Sequence, residues 1–111
     1  MEDRRLFTRI ETKLPLRFRD LSSNGKEGLA ETINISANGL GLITKEDMVI
    51  KSFLEIWLYL PDHHEPLRVR GEVVWCLPLG ESNLKRIGIS LEKEEFMGLA
   101  RALWARQGVR L

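Results

Sequence analysis

The sequence predicts a mainly β fold, a six-stranded antiparallel β-barrel with one C-terminal α-helix. Short segments in which apolar and polar residues alternate recur between residues 11 and 91, and turn residues separate them. After residue 93 the spacing of apolar residues changes to that of a helix. At 111 residues the chain is expected to form one domain with its own core. Short antiparallel strands with frequent turns favour a small barrel that the helix covers.

The first two strands are predicted on either side of an Asn24-Gly25 turn, which supplies the positive φ values of a tight hairpin. The first strand covers 11–21, and Pro15 predicts an edge or an irregular start because proline cannot donate to a ladder. The second strand covers 29–35. Its apolar residues are expected to share one face of the strand: Leu29, Ile33 and Ile35.

The later elements follow the same alternation until the helix begins. Further strands are predicted at 40–44, 53–60, 67–77 and 86–91. In the fifth strand Trp75 is in phase with Val69 and Val73, so we expect its ring in the core. These boundaries divide the domain into a flexible basic arm (residues 1–10), a β-barrel (11–93) and a helix (94–107).

Composition limits the function classes. The chain is 43% hydrophobic and 30% charged with a net charge of +1, which argues against binding nucleic acid polymers through an overall positive field. A single cysteine, Cys76, fits a reducing cytosol, and no signal peptide or membrane-inserting segment is visible, so a cytoplasmic protein is expected. His63 and His64 diverge on a turn without a third ligand cluster, so no metal is expected. No catalytic set of residues is found, and the protein is not expected to be an enzyme.

The basic arm contains Arg4, Arg5 and Arg9 with no acidic residue among them. Arg5 and Arg9 are four residues apart, so both side chains return to one side on a helix or on an extended strand. Guanidinium groups bind phosphates and guanine edges through paired hydrogen bonds. By itself, however, this pattern is also typical of a solvated charged terminus.

A second polar segment, Asn34-Ile35-Ser36-Ala37-Asn38-Gly39, lies where the second strand ends. Asn34 and Ser36 are two residues apart and are expected to point the same way. Gly39 allows a sharp turn or a close approach to a ligand. The same residues alone are also typical of a turn that hydrogen-bonds to its own backbone.

Together the two segments resemble the signature of the PilZ domain, the bacterial receptor module for cyclic di-GMP. That signature is an RxxxR segment near the N-terminus and a (D/N)xSxxG segment at a strand end, and both are intact here. Residues 71–75 and 86–89 also resemble the later strands of the family, so the likeness covers about residues 3–105. It implies the PilZ-type barrel with a C-terminal helix and a single-domain member.

The resemblance also implies roles. Arg5 and Arg9 would contact the phosphates and guanines as the arm folds over the ligand, and Asn34 and Ser36 would bind from the barrel. Two further residues would shape the site: Gly39 would keep the surface open, and Arg4 would accompany binding of two stacked ligands. Trp75 is a candidate for the edge of the ligand site.

The function expected from this resemblance is a cyclic di-GMP receptor that changes conformation and signals in trans to a protein effector, as a monomer or a weak dimer. Two alternatives stay open. One is an adaptor of the same fold without a nucleotide ligand. The other is a small barrel that binds single-stranded nucleic acid. Aromatic residues make up only 7% of the chain and mostly follow the apolar faces of the predicted elements, so they would offer little surface for stacking bases.

Overall fold

The computed structural model describes residues 10–11, 13–22, 25–36, 39–61 and 64–107. The arginines of the basic arm (Arg4, Arg5 and Arg9) lie outside these ranges, so the expectations for them stay predictions. The described residues form seven strands and one helix. In chain order these are β1 Ile10–Glu11, β2 Pro15–Asp20, β3 Glu27–Ser36, β4 Gly39–Thr44, β5 Phe53–Leu58, β6 Leu67–Pro78, β7 Lys85–Leu91 and α1 Lys93–Gln107.

Six of the strands close into an antiparallel barrel in the order β3, β2, β5, β6, β7, β4 and back to β3. The predicted six-stranded barrel with a C-terminal helix is therefore confirmed. The two-residue strand β1 was not predicted as a separate element. It pairs with the far end of β3, with Ile10 opposite Ile35 and Glu11 opposite Asn34.

The start of the first long strand is irregular, as Pro15 indicated. The Leu14 N–H donates to the Thr32 hydroxyl at 2.9 Å, and the Thr32 N–H donates to the Leu14 carbonyl at 3.0 Å. Regular pairing of β2 with β3 begins at Pro15. Leu14 is thus tied to Thr32 by one bond to the side chain and one to the backbone, just before the regular ladder begins.

The core lies inside the barrel and continues under the helix. Leu16, Phe18 and Ile56 are among its fully buried strand residues. Helix α1 adds Phe96, Leu99 and Ala100, which share one helical face and are buried with the barrel residues. Among the described residues, no helix is long and apolar enough to cross a bilayer.

A β-bulge between Thr32 and Asn34 changes which residues of β3 face inwards. Thr32 faces the core before the bulge and Ile35 faces it afterwards, three residues later. The prediction that Leu29, Ile33 and Ile35 share one face is therefore wrong: Ile35 is fully buried, Leu29 is 71% exposed, and Ile33 lies in the bulge between them. The extra residue reverses the alternation on which that prediction depended.

A second bulge lies between Val73 and Trp75 in β6. Val69 and Val73 are buried, and Cys76, three residues after Val73, is the next residue to pack against the core. The prediction that Trp75 belongs to the core is therefore wrong. Its side chain lies on the outer surface and is 38% exposed.

Candidate functional site

A shallow depression of about 190 Å³ lies on the outer face of β3, β4, β7 and β6. One row of paired residues crosses it, with Asn34 opposite Gly41, Gly41 opposite Gly88, and Gly88 opposite Trp75. Nine residues line the depression: Asn34, Ser36, Gly39, Leu40, Gly41, Trp75, Arg86, Gly88 and Ile89. The structure thus brings four predicted site residues together from two distant segments of the chain.

Two glycines make room for the larger side chains at the two ends of this row. A Cβ atom at Gly88 would overlap Cε2 and Nε1 of Trp75, and would lie 2.7 Å from Cζ2. The indole ring therefore covers the backbone of β7. A Cβ atom at Gly41 would lie 3.2 Å from Asn34 Oδ1, so the Asn34 amide lies over β4. The result is a flat aromatic wall on one side and an amide on the other.

The two bulges place both ends of the row on the surface. Asn34 follows the bulge in β3 and Trp75 follows the bulge in β6. Without the extra residue in β6, Trp75 would continue the inward set of Val69 and Val73. Bulges are common beside binding sites because they redirect a side chain without ending the strand.

Gly39 has a conformational role at this site. Its φ of +144° lies in a region that L side chains rarely adopt, and a Cβ there would overlap the carbonyl oxygen of Ile89. Gly39 pairs with Ser36 on one side and Ser90 on the other, so β4 begins here between two neighbours. Glycine at this position therefore lets the chain turn back directly beside Ser36.

Arg86 is a site residue that the sequence reasoning missed. Its guanidinium carbon lies 6.0 Å from the centroid of the Trp75 ring, within reach of a cation–π interaction. The neighbouring Lys85 is bound elsewhere, by an ion pair of 3.0 Å to Asp47. The hydrogen bond from Lys85, followed by its charge, holds the pKa of the Asp47 carboxyl below its usual range. Among the described residues, Arg86 is therefore the cation that lines the depression.

Strand β1, which begins at the last residue of the basic arm, lies next to this depression. Arg9 itself is not described, but the following residue, Ile10, pairs with Ile35, which lies between Asn34 and Ser36. The surface can stack against a flat ring, accept and donate hydrogen bonds, and attract negative charge. Among the described residues, no three histidine, cysteine or carboxylate side chains are grouped to hold a metal ion.

Comparisons with known proteins agree with this architecture. A family model described as the PilZ domain matches residues 3–101. The chain is similar to a solved structure titled "Structure of Bacillus subtilis Inhibitor of motility (MotI/DgrA)", with a TM-score of 0.64 and 15% sequence identity. That match covers 91% of this chain but 50% of that one, so this chain spans half its length and the likeness is one of fold. No curated protein matches the chain. Because the family model matches most of its length, the chain belongs to the PilZ domain family.

Proposed function

We propose that this protein is a receptor for cyclic di-GMP that passes the signal to a protein partner in trans, and that it is not an enzyme. PilZ domains are binding and adaptor modules. One observation carries the proposal: Asn34, Ser36, Gly39 and Trp75 line one outer depression, and Ile10, which follows Arg9 in the chain, pairs with Ile35 beside it. This arrangement supports a site in which the residues of both motifs bind one ligand.

The chemistry of the depression suits a guanine base. The Trp75 ring offers a stacking surface, and stacking a base on an aromatic side chain contributes about 1–3 kcal/mol. Arg86 lies over the same ring and adds a cation for a phosphate or a second planar group. Asn34 and Ser36 offer an amide and a hydroxyl at the opposite side. Guanine O6 and N7 remain available for an arginine of the arm.

The size of the depression requires a second surface. At about 190 Å³ it is smaller than the roughly 300–1,000 Å³ of sites that enclose a drug-sized ligand. The row from β3 to β6 crosses three inter-strand spacings, or about 14 Å. The five residue-to-residue steps from Arg5 to Ile10 can span about 17 Å when extended. The arm is therefore long enough to close over a ligand that lies on this row.

The energetics also require both surfaces. One stacked base and the hydrogen bonds of the depression fall short of the roughly 8 kcal/mol of a micromolar complex. Hydrogen bonds to charged groups add about 1.5–3 kcal/mol each, and the arm supplies three arginines. Binding is therefore expected to depend on the arm and the barrel together.

Calorimetric titration with cyclic di-GMP tests the proposal, using the unaltered chain and the variants Arg9→Ala and Ser36→Ala. Arg9→Ala is expected to lose about 2 kcal/mol or more, roughly thirtyfold in affinity, because a charge-assisted contact disappears. Ser36→Ala is expected to weaken binding in the same direction. Arg101→Ala is the matched control, since Arg101 is an exposed helix residue that does not line the depression. An unchanged affinity in Arg9→Ala would remove its role, and no binding by the unaltered chain would favour the adaptor without a nucleotide.

Trp75→Ala tests the barrel half of the site. We expect it to weaken cyclic di-GMP binding by about 1–3 kcal/mol, since the stacking surface is lost. Gly88→Ala should weaken binding in the same direction, because the added Cβ displaces the indole ring from β7. The ring packs against β7 and is 38% exposed, so the unfolding midpoint of both variants is measured and their affinities are compared where the chain is folded. Undiminished affinity in Trp75→Ala would place the ligand elsewhere.

A further inference from the structure

We propose that the end of the barrel around Leu21 and Phe53 is the docking surface for a protein partner, and that it takes a segment in which apolar residues are flanked by basic ones. This inference rests on the proposed receptor role, because it names where the partner of that receptor binds.

Four large apolar side chains are exposed at this end of the barrel. Leu21 is 41% exposed, Val49 70%, Ile50 51% and Phe53 48%. The Leu21 N–H donates to the Phe53 carbonyl at 2.8 Å, so these two residues are neighbours. Leu21 and Phe53 line one cavity of about 440 Å³. Val49 and Ile50 line a second cavity of about 320 Å³, together with residues adjacent in sequence to Leu21 and Phe53. Single exposed apolar residues are ordinary, but two pairs of them, each lining its own cavity at the same end of the barrel, indicate an interaction site.

The turn that presents Val49 and Ile50 is held in an unfavourable conformation. Lys51 has a φ of +79°, and the Ser52 N–H donates to the Val49 carbonyl at 3.0 Å. This is the arrangement of a type II turn, whose third position normally holds glycine. The Lys51 N–H bonds to the Val73 carbonyl at 2.7 Å and fixes the turn to β6. A strained, fixed turn that exposes two apolar side chains is more consistent with a binding role than with packing.

The charge around the larger cavity indicates which kind of protein segment can bind there. Its lining contains three glutamates, Glu72, Glu92 and Glu95, against one arginine, Arg70. The Glu95 carboxylate accepts a hydrogen bond of 2.8 Å from the Arg70 N–H, which holds helix α1 at the rim. An acidic rim attracts basic side chains and repels anionic lipid or nucleic acid. The fitting occupant is therefore a protein segment with apolar residues at its centre and lysine or arginine beside them.

One row of paired residues connects this surface to the candidate nucleotide site. Gly39 is opposite Ser90, Ser90 is opposite Glu72, and Glu72 is opposite Phe53. Three inter-strand spacings amount to about 14 Å. The partner and the nucleotide would therefore contact the same two strands, β6 and β7. This proximity would let a partner sense whether the nucleotide site is occupied.

A peptide titration tests the proposal on the ¹⁵N-labelled full chain. The probe is a short synthetic peptide with a Leu-Phe-Leu centre between lysine pairs, and its control carries glutamates in place of the lysines. We expect amide shifts from the basic peptide at Leu21, Phe53, Glu72 and Glu95, and none from the acidic peptide. Phe53→Ser combined with Glu72→Lys should weaken binding about tenfold or more. Leu29→Ser, which removes an exposed leucine from β3, should leave it unchanged.

Three results would overturn the docking proposal. The first is amide shifts confined to another surface, and the second is equal binding of both peptides. The third is a dimer in sedimentation experiments whose formation shifts the amides of these same residues. A parallel titration with cyclic di-GMP separates this proposal from the receptor role. If the unaltered chain binds cyclic di-GMP but not the basic peptide, the docking surface is rejected and the receptor role is retained. Peptide binding at this surface without any nucleotide binding supports the docking surface and rejects the receptor.

Discussion

Replacing Gly39 by alanine is expected to lower the free energy of unfolding by about 3 kcal/mol or more. The φ of +144° is open to glycine but unfavourable for alanine, and the new Cβ would overlap the Ile89 carbonyl oxygen. That oxygen belongs to the backbone of β7 and cannot rotate away as a flexible side chain could. Relief would require β4 to move away from β7, where Gly39 pairs with Ser90.

Gly80→Ala is the matched control for this experiment. Gly80 also has a positive φ, +54°, but a Cβ there would have no atom within 4 Å. Its replacement by alanine should lower the free energy of unfolding by only about 1 kcal/mol, because alanine is unfavourable in the left-handed conformation. Urea unfolding of both variants measures the difference. Equal losses in the two variants would mean that the start of β4 relaxes freely and that the contact with Ile89 is unimportant.

The expected result changes how the second motif is interpreted. If Gly39→Ala unfolds the start of β4, a loss of nucleotide binding in that variant says nothing about a contact between Gly39 and the ligand. Ser36, which pairs with Gly39, would lose its position at the same time. Ser36→Ala is the more informative variant because it removes one hydroxyl and leaves the backbone conformation alone. Each variant therefore needs an unfolding measurement before its affinity is compared.

The strands and the helix could be predicted from the sequence because their patterns are local. Leu16, Phe18 and Ile56 alternate with charged neighbours and are buried in the core. Three apolar residues of the helix, spaced three and four residues apart, share one buried face: Phe96, Leu99 and Ala100. Burial of one face of each element is enough to produce these patterns. The barrel then follows from the number of short antiparallel strands.

The two bulges could not be predicted, and they decide the composition of the site. The cost of one unpaired residue in β3 or β6 is offset only when the closed barrel fixes the neighbouring strands. Nothing in the sequence around Val73 and Trp75 signals that an extra residue is needed there. The alternating pattern therefore predicted the burial of Val69 correctly and that of Trp75 wrongly. The prediction for Leu29 failed for the same reason, because a bulge separates it from Ile35.

Arg86 was missed for a different reason. Alternation along β7 does place Arg86 and Gly88 on the outer face, opposite to the buried Ile87 and Ile89. What the sequence lacks is the identity of the strand beside them. Gly88 pairs with Trp75 on one side and Gly41 on the other, and these partners are distant in the chain. Arg86 and Gly88 on one face of β7 indicate a binding site only when the strands paired with β7 are known.

Replacing Leu99 by alanine is expected to lower the free energy of unfolding by about 3 kcal/mol, within the 2–5 kcal/mol typical of such core truncations. Leu99 is fully buried and lies between Phe96 and Ala100 on the face that α1 packs against the barrel. The cavity left behind would lie between a helix and the strands, which are held by their own ladders and cannot collapse to fill it. Urea unfolding provides the measurement, and Arg101→Ala, an exposed change on the same helix, should stay within about 0.5 kcal/mol.

Leu99→Ala and Ser36→Ala together separate the scaffold from the site. Leu99 does not line the depression, so under conditions where the variant is folded its affinity for cyclic di-GMP should equal that of the unaltered chain. Ser36→Ala should show the reverse, with weaker binding and a smaller change in stability. A stability loss below about 1 kcal/mol in Leu99→Ala would mean that the helix contributes little to the core. Weaker nucleotide binding by a folded Leu99→Ala chain would instead mean that the helix controls the outer face of β6 and β7, the strands that α1 contacts.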